Sequence, residues 1–187
     1  MDNLDEMDYV KRILDGDTNM FSVLLERHER PVHSLIMQII PSREDAEELT
    51  QDVFIKAFRN LGSFRGGCSI STWLYRIAYN TAISATRKRK VTYPAFDEDA
   101  LNNIPDETVD RLLENDEDEE LINKLEQAIE RLQVEDKALI SLYYTQDKPV
   151  NEISAILQIS PENVKVRLFR ARKKIIALIN DRNYGSR

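Results

Sequence analysis

The chain has one cysteine in 187 residues, Cys68. An internal disulfide and a zinc site built on several cysteines are therefore both excluded. It has only two histidines, His28 and His33. No run of eighteen apolar residues occurs, so nothing reads as a membrane span. The amino terminus, MDNLDEMDYV, is acidic and has no apolar signal core, which argues for the cytoplasm rather than for secretion. Glycine and proline are scarce, five and six residues, while charged residues make up 32 %. So few breakers among so much charge predict a helical chain, long enough for one large domain or two small ones.

What is present is unevenly spread. The net charge is −7. Residues 1–93 carry 13 positive and 13 negative side chains, residues 94–120 carry 1 and 12, and residues 121–187 carry 12 and 8. A strongly acidic middle between two bodies of different charge predicts two domains and a linker. The linker, rich in carboxylates and holding two prolines, reads as largely extended, with a short helix near 107–114. It is either a self-repelling spacer or a strand of negative charge suited to a basic channel in a partner.

The stretch 64–90, FRGGCSISTWLYRIAYNTAISATRKRK, organises the first part. Gly66-Gly67 predicts a loop. Ser71 is the expected N-cap of a helix running to about Arg89. Leu74, Ile77, Ala78, Ala82 and Ala85 recur as an apolar stripe. A second stripe holds Trp73, Arg76, Asn80, Ser84 and Arg87, groups able to stack on bases and to donate to phosphates and base edges. The same pattern also fits a core tryptophan and a solvated basic helix end that suits the helix dipole.

Around this stretch the periodicity is helical throughout. A short helix is expected within residues 1–15, ended by Gly16-Asp17. The next, from Thr18 or Asn19, carries Phe21, Leu24, Leu25, Val32, Leu35, Ile36 and Ile39, with Pro31 expected to kink or break it. His28 extends that stripe as a packing residue; His33 points off it, toward water. Ser42 is an N-cap with Asp45 three residues on. The helix it opens, about Arg43 to Asn60, buries Ala46, Leu49, Val53, Phe54 and Ala57. Its far side displays Glu48, Gln51, Asp52 and Ile55, a polar-rimmed face suited to a partner helix. From Leu121 the period returns through Leu125, Ala128, Ile129 and Leu132. Glu135-Asp136 opens a further helix. Val150–Leu157, a break at Gln158-Ile159, and Ser160-Pro161 as cap and first helical position read as a helix-turn-helix. The last helix buries Val164, Leu168, Ala171, Ile175 and Leu178. It presents Glu162, Val166, Phe169, Arg170 and Lys173 outward, flanked by Lys165 and Arg167. From Ser160 to Arg187 there are eight positive and two negative side chains. Long donors, apolar groups for thymine methyls and flanking cations suit duplex DNA.

With these residues in place the chain resembles the extracytoplasmic-function sigma factors of the sigma-70 family. Residues 45–58, DAEELTQDVFIKAF, are similar to the segment that docks on core RNA polymerase; residues 71–80, STWLYRIAYN, to the promoter-melting motif; residues 160–172, SPENVKVRLFRAR, to the recognition helix. The resemblance implies an all-α chain of two small helical domains, 1–93 and 121–187, joined by the acidic linker 94–120. It implies a non-enzymatic initiation factor without cofactor or small-molecule substrate, partnered by core polymerase (β and β′ subunits), promoter DNA and a cognate anti-sigma factor, and not inserted in a membrane. The single-stranded −10 element would meet Phe64, Arg65, Ser69, Trp73, Arg76, Asn80, Ser84, Arg87 and Lys88, with the loop 64–70 cradling an extruded base. The duplex −35 element would meet Glu162, Lys165, Val166, Arg167, Phe169, Arg170 and Lys173. The polymerase would meet Glu48, Gln51, Asp52 and Ile55. Three departures from the family pattern stand out: Gln158 where the turn usually has glycine, Ser154 at a position often small, and Glu162, Asn163 and Val166 in the recognition helix. Two competing readings are a stand-alone helix-turn-helix regulator, which leaves residues 64–90 and the Ile55 face idle, and a metal-dependent nuclease using the acidic run 116–120.

Overall fold

The computed structural model describes residues 6–87, Phe96, Leu101, Ile104 and residues 119–180. The expected extended course of the linker, its helix at 107–114 and the basic run Lys88–Lys90 lie outside the described residues.

All regular structure among the described residues is helical. Helix α1 is Glu6–Leu14, α2 Met20–Ile39, α3 Arg43–Asn60 and α4 Ile70–Thr86. Helix α5 is Glu119–Glu130, α6 Val134–Ile140, α7 Val150–Leu157 and α8 Pro161–Asn180. Gly16, at φ +108°, turns the chain out of α1. Ser42 caps α3, its side chain accepting from the Asp45 amide at 3.2 Å. Helix α2 continues through Pro31 without the expected break. Val32, Leu35 and Ile36 just beyond it are fully buried, and that packing outweighs the lost backbone donor.

Helices α2, α3 and α4 pack on one another, with α1 against α2. Helix α8 packs on α5, α6 and α7. The two groups also meet: α4 lies against α7, and α2 against α6. The buried side chains consequently form one continuous cluster, from Val10 and Leu35 through Leu74 and Ala78 to Ile153 and Leu168. Polar side chains stitch the seam. Thr72 donates to Glu152 at 2.7 Å, Lys148 donates to Ser71 at 3.0 Å, and Tyr75 donates its hydroxyl to Gln146. Of the linker, Phe96 packs against the cluster and Leu101 is buried.

His33 departs from expectation. It is half-buried between α2 and α3, with Nδ1 3.1 Å from the Thr50 hydroxyl. Thr50 lies on the buried face of α3 and draws the ring inward. His28 packs as expected, 3.0 Å from the Glu6 carboxylate; burial lowers its pKa, and Glu6 opposes that only in part.

Candidate nucleic-acid interface

Helix α4 begins one turn after Gly66, which holds φ +72° with its α-carbon close to Met7; an added β-carbon would stand 3.3 Å from the Met7 methyl. A side chain there is strained by its conformation, and the flexible end of Met7 would have to shift to admit it. The cap is Ser69, not the expected Ser71. The Ser69 side chain accepts from the Thr72 amide at 3.1 Å, and its backbone is extended. Ser71 is instead drawn into the seam by Lys148.

Between the loop, α3 and α4 opens a cleft of about 510 Å³. Phe64, Arg65, Trp73, Arg76 and Asn80 line it together. Phe64 is buried and packs its ring 5.5 Å from that of Trp73, which is half-exposed. Arg76 and Asn80 reach solvent. The cleft thus has an aromatic wall for stacking and donors at its rim, the combination single-stranded bases require. Ser84 and Arg87 continue the exposed face beyond the cleft, Ser84 donating its hydroxyl to the Asn80 carbonyl at 2.7 Å. Lys88 lies outside the described residues.

Gly67 and Cys68 of the expected loop also line it, whereas the sequence missed Lys56, Asn60, Ser63, Ile77 and Thr81. Lys56 comes from α3 and donates to Thr81 at 3.2 Å. One helix's periodicity cannot show which side chains of another it faces. The Cys68 thiol is exposed, and partial burial raises its pKa despite nearby Arg76.

Helix α8 opens at Ser160, whose hydroxyl accepts from the Asn163 amide at 3.2 Å. Glu162, Lys165, Val166, Phe169 and Arg170 are exposed as expected, Val166 at 49 % and Phe169 at 38 %. Two residues of the expected set turn elsewhere. Arg167 is half-buried and donates to Asp136 at 3.2 Å. Lys173 is 6 % exposed, with its ammonium 4.3 Å above the Phe169 ring. A long aliphatic stem buries readily while its charge finds an aromatic face. The outward stripe is therefore narrower than the spacing predicts.

On α3, Glu48, Gln51, Asp52 and Ile55 are all exposed, Ile55 at 48 %. Phe58, one turn on from Ile55, is also exposed and carries the apolar patch further, against Phe21.

Residues 24–92 match the family model for sigma-70 region 2, and residues 122–175 that for sigma-70 region 4. The ECF RNA polymerase sigma-E factor of Escherichia coli K12 is 36 % identical over 172 residues, spanning 89 % of this chain and 90 % of that protein. The RNA polymerase sigma-H factor of Pseudomonas aeruginosa is 31 % identical over 177 residues, 89 % of each. In fold, the chain is similar to CnrH, solved in complex with the cytosolic domain of CnrY, with a TM-score of 0.64 at 22 % identity, covering 91 % of this chain and 94 % of that one. It is similar also to the sigma factor RpoE of Bartonella quintana, solved with the anti-sigma factor NepR: TM-score 0.62, 20 % identity, 87 % and 98 % covered. With both regions matched in order, and with relatives this similar along nearly the whole chain, the protein belongs to the extracytoplasmic-function sigma factors of the sigma-70 family.

Proposed function

We propose that this chain acts as an alternative sigma factor by gripping a promoter at two places, with residues 1–93 on the −10 element and residues 121–187 on the −35 element. The single observation that carries the reading is the cleft, which gathers Phe64, Arg65, Trp73, Arg76 and Asn80 from a loop and a helix. In it, a base leaving the stack exchanges neighbouring bases for the Phe64–Trp73 wall, while Arg76 and Asn80 supply donors. Flipping a base costs a few kcal/mol of stacking, and aromatic stacking at about 1–3 kcal/mol per base returns a comparable amount. Val166, Phe169 and Arg170 face the major groove of the upstream duplex, apolar groups toward thymine methyls and the guanidinium toward a guanine edge. Glu48, Gln51, Asp52 and Ile55, extended by Phe58, form the face that meets core RNA polymerase. The segment 94–120 tethers the two halves. This assigns the chain no catalytic step and places it in the cytoplasm, with polymerase and DNA.

The two readers cannot serve both elements while the seam is closed. Element centres about 25 base pairs apart lie roughly 85 Å apart at 3.4 Å per base pair. A compact chain of this length has a radius of gyration of about 16 Å. In this reading the halves part on the polymerase, and the contacts of Ser71, Thr72 and Tyr75 of α4 with Lys148, Glu152 and Gln146 belong to the resting form. Proteins of similar fold are solved in complexes, CnrH with the cytosolic domain of CnrY and the sigma factor RpoE with the anti-sigma factor NepR; we assign this chain an anti-sigma partner.

Run-off transcription with core polymerase and no other sigma factor, on promoters the reconstituted holoenzyme selects from a random library, tests the function. A defined transcript is expected. A stand-alone regulator would yield none.

A further inference from the structure

We propose that Asp136 is a positioning residue for upstream-element reading: it fixes the rotation of α8 through two of that helix's own cations and withholds both from the phosphate backbone. The proposal rests on the sigma-factor reading of α8.

Asp136 stands in the first turn of α6, with its side chain 8 % exposed. One carboxylate oxygen accepts from Arg167 at 3.2 Å and the other from Lys174 at 2.8 Å. Arg167 and Lys174 are seven residues apart, two turns, so they share one stripe of α8. Two bonds to one rigidly seated carboxylate set both the rotation and the axial position of that helix. The apolar stripe of Val164, Leu168, Ala171 and Ile175 holds α8 to the body, and the two charge-assisted bonds add a directional restraint that apolar burial lacks. The reading side needs that restraint. A turn of about 25° carries a guanidinium about 9 Å from the helix axis through roughly 4 Å, beyond bidentate reach of a base edge.

The charge follows the same geometry. Arg167 lies next to Val166 and three residues before Arg170, where a free guanidinium would reach phosphates of any sequence. Bound to Asp136, it points inward at 33 % side-chain exposure, and Lys174 at 18 %. The outward stripe keeps its base-reading groups and loses the sequence-indifferent Arg167 from its flank, while Lys174 beside it is held inward too.

The test compares holoenzyme carrying the full wild-type chain with holoenzyme carrying Asp136→Asn. The probes are two duplexes: the upstream element selected by the wild-type holoenzyme from a random library, and the same duplex with that element scrambled. Affinity is read by fluorescence anisotropy over a range of salt. The wild type is expected to prefer the selected element. Asp136→Asn is expected to lose roughly tenfold of that preference, about the value of one base contact. Its salt slope on the scrambled duplex is expected to steepen by about 1–2, one freed cation per phosphate. A merely structural carboxylate would lower the melting temperature and leave the slope alone. A folded Asp136→Asn with unchanged preference and slope overturns the proposal. Should that variant fail to fold, the double variant Arg167→Gln, Lys174→Gln decides: lost preference without a steeper slope supports the proposal, and retained preference overturns it. A wild-type holoenzyme that prefers no element overturns the sigma-factor reading itself.

Discussion

Gln158 holds φ 58° and ψ 41°, the left-handed conformation that closes α7 and turns the chain toward α8. A side chain there carries about 1–2 kcal/mol of strain. Ser154 supports the turn, donating its hydroxyl to the Ile159 carbonyl at 2.6 Å. Gln158→Gly relieves the strain, partly offset by glycine's greater freedom when unfolded. We expect a gain of about 1 kcal/mol in urea unfolding; an unchanged or lowered midpoint would show that the turn stores no strain. His28 provides a pH signature. Burial lowers its pKa below 6.5, so the unfolded chain takes up the proton before the folded one. Its contribution is complete above that value and fades as the pH falls through the folded-state pKa. The melting temperature should therefore fall between about pH 7 and 5.5 more steeply in the wild type than in His28→Gln; equal slopes would contradict this. Both residues were legible in the sequence, Gln158 as a departure from glycine and His28 as a member of an apolar stripe.

At the scale of the element, α4 is the informative case. Its apolar stripe and its Trp73–Arg87 stripe are legible because each repeats at helical spacing. Its third face is not. Thr72, Tyr75, Tyr79 and Ile83 are also buried, and Tyr75 and Thr72 bond across the seam to Gln146 and Glu152. Burial pushes the Tyr75 hydroxyl up to about 12. Threonine and tyrosine suit water as well as an interface, so periodicity cannot say that a second body covers them. In α8 the same limit hid Arg167 and Lys173, whose charges read as outward until Asp136 and the Phe169 ring are placed beside them. The exposed Trp73 stripe yields the sharpest prediction. Trp73→Ala should leave closed-complex formation near the wild-type level and reduce strand opening, read as 2-aminopurine fluorescence in the −10 element. A normal fluorescence rise would remove the stacking wall from the mechanism.

For the whole molecule, the all-helical class and the division around a linker followed from scarce glycine and proline, helical periods and a charge-dense middle, and the order of the two regions from the resemblance of their motifs to the family's. The continuous core did not, because contacts between α4 and α7, or α2 and α6, join residues far apart in sequence. The acidity of the chain bears on the central claim. A protein with a net charge of −7 gains little from phosphate neutralisation, which dominates DNA affinity. In the proposed reading, the two halves also cannot span both elements with the seam closed. Both arguments say that promoter binding is conferred by the polymerase. The direct measurement is anisotropy of a fluorescent promoter fragment, selected by the holoenzyme, at physiological salt. It is titrated with the full chain alone and then with the chain plus core polymerase. We expect little binding alone and tight, sequence-dependent binding with core enzyme. Tight promoter-specific binding by the chain alone would contradict the account.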